Sequence, residues 1–218
     1  MKTRPLILIS FAVMAAMAIF ALLTLQRLPA GTELPVHWNA MGQPDDWAPA
    51  LQALLIPIGV LGFVTLVFAV IPWLEPLQDK LDGSAPVLRA TWGGMILLSI
   101  VIMAVIGLPG WGIDLSVNAI ILGIGLLFLI LGNALPKSRP GFFVGIRTPW
   151  TITDTDNWIA THRLVGKLMM AAGAAIVIAA MLRVPSEPLA VIVLVATLGS
   201  AFVPIVYSWW FWHSGKRA

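Results

Sequence analysis

The sequence has 218 residues, of which 59% are hydrophobic and only 11% charged. A soluble domain of this length needs more charge on its surface, so lipid is the expected solvent. The net charge of +3 does not read as a nucleic-acid footprint, because the cations gather beside long apolar runs; the absence of cysteine excludes disulfides, thiolate metal sites and lipidation through a thiol.

A hydrocarbon core about 30 Å thick needs roughly 20 helical residues to cross it. Runs at 5–25, 53–74, 91–108, 115–135, 166–182 and 189–207 meet that requirement, and none carries a formal charge in its interior. Lys2, Arg4, Lys80, Arg89, Lys137, Arg139, Arg147, Arg163, Lys167, Lys216 and Arg217 then fall on one side of the membrane, and only Arg27 and Arg183 on the other. The excess of Lys and Arg on cytoplasmic loops therefore predicts both termini inside, in a multi-pass protein of the bacterial cytoplasmic (inner) membrane. Trp73, Trp92, Trp111, Trp209, Trp210 and Trp212 lie near span ends, where an interfacial belt is expected. The expected fold class is an all-α membrane protein. It is a six-transmembrane helix bundle with an ordered outer loop after the first helix and a cytoplasmic motif loop before the fifth. We divide it at about residue 90, with an N-terminal helix pair over 1–90 and a four-helix membrane region over 91–218.

Two connections are too long to be simple turns, about 26–52 outside and 136–165 inside, and long ordered connections usually carry function. The outer one contains L-P-V-H-W-N-A-M-G-Q-P-D-D-W over residues 34–47. Pro35 favours extended backbone beside it and Gly42-Gln43-Pro44-Asp45 is a turn signal, so a strand-turn element is expected. His37, Trp38, Asn39, Asp45 and Trp47 are the candidate surface for an extracytoplasmic ligand; the competing reading is an interfacial cap on the bundle. His37, Asp45 and Asp46 lack the fixed spacing of a metal site, and neither metal nor cofactor is expected.

The inner connection reads N-A-L-P-K-S-R-P-G-F-F-V-G-I-R-T-P-W-T over residues 133–151. Pro136 and Pro140 end the fourth span, Lys137 and Arg139 sit where anionic headgroups attract them, and Phe142 and Phe143 can dip into the interface. Arg147 follows an apolar run and is expected to have a fixed partner. The next helix is expected to begin near Thr153, with Thr153-Asp154-Thr155-Asp156 as its capping box. Trp158 and His162 follow at four-residue steps from Asp154. Eight residues of helix span about 12 Å, too far for Asp154 to orient His162 as a catalytic dyad. Asn133, Arg147, Trp150, Trp158, His162 and Arg163 form the inner candidate set, which either docks a partner or locks the bundle. No H-E-x-x-H, G-x-S-x-G or Walker motif occurs, so an enzyme is not expected. The charge-free spans argue against a proton-coupled pump; Pro57, Pro72 and Pro204, which can kink helices, leave a small-solute or peptide transporter as the alternative.

The two loops together resemble the SdpI immunity-protein family of bacterial membrane proteins. The inner resemblance rests on Asn133-x-Leu135-Pro136-Lys137, on Gly145-Ile146-Arg147-Thr148-Pro149-Trp150-Thr151, and on Trp158-x-x-Thr161-His162-Arg163-x-x-Gly166. The outer motif is similar to the uncharacterised domain that often precedes that family's region. Gly141 departs from the pattern, where the family would carry Asn. The resemblance implies immunity to a secreted peptide toxin, joined to signalling in which the toxin-bound membrane protein sequesters a soluble transcriptional repressor. The partners it implies are membrane lipids, a peptide toxin and that repressor, with no direct contact to nucleic acid.

Overall fold

The computed structural model describes residues 3–74, 81–141 and 143–215; Lys2, Lys80, Phe142, Lys216 and Arg217 lie outside the described residues. In chain order the elements are α1 (Arg4–Leu25), β1 (Glu33–Trp38), β2 (Pro44–Pro49), α2 (Ala50–Leu74), α3 (Leu81–Gly107), α4 (Asn118–Ala134), the short α5 (Pro149–Thr153), α6 (Thr155–Met181) and α7 (Ser186–His213). Six of the helices are long and apolar enough to cross a membrane, and the protein is a multi-pass membrane protein. α1, α2 and α3 pack together; α3 leads to α4, α4 packs on α6, and α6 on α7. The β1–β2 hairpin stands at one end of this bundle, and the loop containing α5 stands at the other.

Apart from α4, which lies within 115–135, the helices begin before the apolar windows read from the sequence, because hydropathy reports what lipid touches and not where backbone hydrogen bonding starts. α6 continues the motif helix straight into the fifth span, and α3 begins ten residues before the expected 91. That early start corrects the place of Trp92. It lies three turns inside α3, fully buried, and donates its Nε1–H to Ser10 Oγ of α1 at 2.9 Å. Burying the indole removes apolar surface, and the serine spares its N–H the cost of being left unpaired. Trp111 does stay at a span end. It stacks on Phe20, donates to Thr24 Oγ1, and takes the Arg27 guanidinium 3.8 Å above its ring.

The tightest seam is α4 against α6. Gly132 faces Gly166, and Gly125 faces Gly173, so each helix presents two glycines seven residues apart. A Cβ at Gly166 would meet the Gly132 carbonyl at 2.7 Å and the Pro136 ring closer still. In lipid, helices associate through close packing and not through a hydrophobic drive, so small residues on a seam set how near two backbones come. This crossing fixes the chain leaving α4 against the start of α6, which is where the inner motif lies.

Candidate functional site

The outer motif folds as the expected strand-turn element. β1 and β2 pair antiparallel, with Leu34 opposite Ala48, His37 opposite Asp46 and Trp38 opposite Pro44. The turn is held by Asn39, whose Oδ1 accepts from the backbone N–H of Met41 at 2.9 Å and of Gln43 at 3.1 Å, while Gly42 adopts the left-handed φ of 72°. Leu34 and Ala48 are buried and belong to the same core cluster as Ala50, Ala53 and Leu54 of α2, so one side of the ribbon is apolar and packed. On the exposed side, His37 Nδ1–H donates to Asp45 Oδ1 at 2.6 Å across the hairpin.

The structure divides the outer candidate residues in two. His37, Asp45 and Trp47 are exposed, Trp47 by 51%. Trp38 and Asn39 are half-buried and line a cleft of about 380 Å³ between the hairpin turn and the adjoining ends of α4 and α7. Asp46 does not join His37 and Asp45; its Oδ1 accepts from the neighbouring Trp47 N–H.

The inner motif folds differently. Trp158 and His162, one turn apart on α6, stack face to face with ring centroids 4.0 Å apart, and both are buried. The chain crosses this stack at Gly145, whose φ of +111° L-residues rarely adopt; a Cβ there would run into His162 Nε2 and the indole. Just past the crossing, the Ile146 N–H donates to His162 Nε2 at 2.9 Å, and His162 Nδ1–H donates to the Trp158 carbonyl at 2.8 Å. The two bonds fix one tautomer of a neutral ring, because Nε2 must keep its lone pair for Ile146. Trp158 Nε1–H in turn donates to Ser138 Oγ at 3.1 Å, which ties in the segment leaving α4.

A second set of bonds fastens the same loop to α7. Thr148 and Thr151 form a reciprocal capping box on α5, and Thr151 Oγ1 also donates to the Ile146 carbonyl at 2.8 Å. Thr148 Oγ1 lies 3.1 Å from Ser208 Oγ, and Asn157 Nδ2 donates to the Ser208 carbonyl at 2.8 Å. Thr161 Oγ1 completes the chain by donating to Asn157 Oδ1 at 3.0 Å. All of these side chains are buried. The cap of the next helix corrects the expected one. Asp154, and not Thr153, is the N-cap of α6 and accepts from the Asp156 and Asn157 N–H groups, while Thr153 Oγ1 turns back to the Pro149 carbonyl.

Of the inner candidate residues the structure brings Trp158 and His162 together at the centre of this lock. Trp150 is half-buried with its ring edge-on to His213 of α7. Arg147, Arg163 and Asn133 are exposed around it, and Lys137 Nζ reaches Asn133 Oδ1 at 3.5 Å. Sequence reasoning missed Ser138, Asn157 and Ser208, and it named Thr148, Thr151 and Thr161 only within the resemblance motifs and not as candidate site residues. Their polar side chains have no periodic signature, although Thr148-Pro149-x-Thr151 carries the Pro-at-first-turn pattern of a capped helix start.

Comparison with known proteins bears out the family resemblance of both loops. Residues 137–208 match the SdpI/YfhL protein family, and residues 12–61 match a domain of unknown function, DUF1648. The chain is 24% identical over 167 residues to the immunity protein SdpI of Bacillus subtilis (strain 168), an alignment covering 76% of this chain and 77% of that one. No solved structure matches the chain significantly.

Proposed function

From a membrane protein whose last two spans and preceding loop carry an SdpI-family region, we propose an immunity function: resistance to a secreted antimicrobial peptide, exerted from the bacterial cytoplasmic membrane with both termini inside. The observation that carries the reading is the β1–β2 hairpin, an ordered ribbon with an apolar side packed on α2 and an exposed side presenting His37, Asp45 and Trp47. An ordered ribbon meets a peptide without a large ordering penalty, and an exposed indole supplies an anchor of the kind that dominates peptide contacts. The buried Trp158–His162 lock takes the structural one of the two inner roles, holding the loop in one shape. Arg147 and Arg163, exposed beside it, are the surface we assign to a soluble repressor in the signalling step.

The test is survival of a sensitive strain under toxin peptide, with wild type, Trp47→Ala/His37→Ala and Arg163→Ala at matched membrane levels. The expected result is protection by the wild type, loss with the outer pair, and protection without induction of the repressor's target with Arg163→Ala. Equal protection by all three, with normal induction, refutes both site assignments. No protection by the wild type refutes immunity and makes solute flux in proteoliposomes the next measurement.

A further inference from the structure

The cleft beneath the hairpin turn is formed by elements far apart in sequence. The turn at Gly42 sits against Val117, just before α4, and Ser186, the first residue of α7. α4 and α7 each pack on α6 between them, and the space left at the hairpin end is the cleft. On α7 its wall is Ser186, Leu189, Ala190, Val193, Leu194 and Thr197, which recur at the three- and four-residue steps of a single helix face. Val117 and Ile121 form the α4 wall, and Trp38, Asn39 and Asn118 add the polar and aromatic groups.

Three properties define the occupant. No lining residue is ionisable, so the buried part of the occupant is uncharged. The α7 wall runs twelve residues from Ser186 to Thr197, eleven rises of 1.5 Å or about 16 Å, close to the ~15 Å of one leaflet's hydrocarbon. The volume is small. It is about 380 Å³, drawn out along one face of α7. A narrow apolar strip of one leaflet's depth suits a single extended hydrocarbon chain. The wall also runs into residues already facing lipid, since Val191, Val195 and Leu198 beside it on α7 are exposed.

We infer that this cleft is a lipid site: it holds one acyl chain of a phospholipid from the leaflet on the hairpin side, with Trp38, Asn39 and Asn118 at the headgroup end. The site goes beyond the immunity reading and stands without it. A seated chain would fill the space under the turn, and so would hold the hairpin against α4 and α7.

The experiment uses the full chain in phosphatidylcholine vesicles doped with phosphatidylcholine bearing a photoreactive diazirine at a chosen acyl carbon. Cross-linked residues are mapped by mass spectrometry. Labels near the carboxyl end should mark Leu189 and Ala190, and labels near the methyl end Val193 and Thr197. Yield at these positions should be several-fold above that at Phe11 and Leu22, which face lipid on α1. Ala190→Phe/Val193→Phe should fill the cleft and bring yield down to the α1 level, with the α1 marks unchanged. Yield no higher in the wild-type cleft than on α1, or unordered by label depth, overturns the site without reference to any variant. If unlabelled fatty acid at a trace of the phospholipid erases the cleft marks, the source is wrong and the occupant is a free acid. Because no toxin is present, neither result bears on immunity.

Discussion

The two ends of this bundle carry sequence motifs of similar richness in tryptophan, histidine, proline and polar residues, and the fold treats them in opposite ways. At the hairpin end, the polar groups point out. His37 and Asp45 pair in solvent, Trp47 is exposed, and apart from the backbone ladder the turn needs only the Asn39 side chain. At the loop end, the polar groups that hold the loop point in, and Asn133, Arg147 and Arg163 stay exposed around them. Ser138, Thr148, Thr151, Asn157, Thr161, His162 and Ser208 are all buried and all bonded. An exposed pair like His37–Asp45 contributes about 0–1 kcal/mol, whereas each buried group stripped of its partner costs about 1–3 kcal/mol. The hairpin end can therefore vary at little cost to stability, and the loop end is bound to a single arrangement.

That contrast breaks most sharply at the stack. Trp158→Ala removes a fully buried indole and its bond to Ser138, and should destabilise the protein by about 3–5 kcal/mol. Thermal unfolding in detergent reads this as a large fall in Tm, and cells should show low membrane levels. If Tm instead stays near wild type, the loop end does not depend on the stack. Gly145→Ala should come next, at about 1–3 kcal/mol from backbone strain alone, before His162 and Trp158 are displaced. Proteolysis of the inner loop in inside-out vesicles should accelerate, and an unchanged cleavage rate would mean that the chain does not cross the stack there.

His162→Ala should cost about 1–3 kcal/mol by leaving the Ile146 N–H without its acceptor. Amide exchange measures it directly, with faster exchange at Ile146 than at α4 backbone sites. Replacing the α6 cap, Asp154→Ala, should cost about 1 kcal/mol and fray only the first turn. The smallest stability effect belongs to the other end. His37→Ala should leave Tm within about 0.5 kcal/mol of wild type, so a loss of protection with it reflects recognition and not folding. A large fall in Tm from that substitution would erase the distinction between the two ends.

The parts of this molecule legible in the sequence are those governed by local rules. Hydropathy located six spans, the turn chemistry of Gly42-Gln43-Pro44-Asp45 anticipated the hairpin, and four-residue spacing put Trp158 and His162 on one helix face. The α6 cap was missed by one residue because Thr153 and Asp154 are both good caps, and the alternative bond from Thr153 to Pro149 depends on the preceding short helix. Trp92 was misplaced for a different reason. Tryptophan near a span end has an interfacial role by default, and nothing local reveals that Ser10 waits on another helix.

Composition and periodicity thus determined the solvent, the number of crossings and the positions of the two long motif loops, because each follows from a residue and its chain neighbours. Tertiary structure alone decided which polar groups face inward. Burial in lipid obliges a polar side chain to find a partner wherever one lies, and Ile146 with His162, Thr148 with Ser208, and the cleft shared by Trp38, Ile121 and Val193 are joined across sixteen to more than a hundred and fifty residues of chain that only the packed helices bring together.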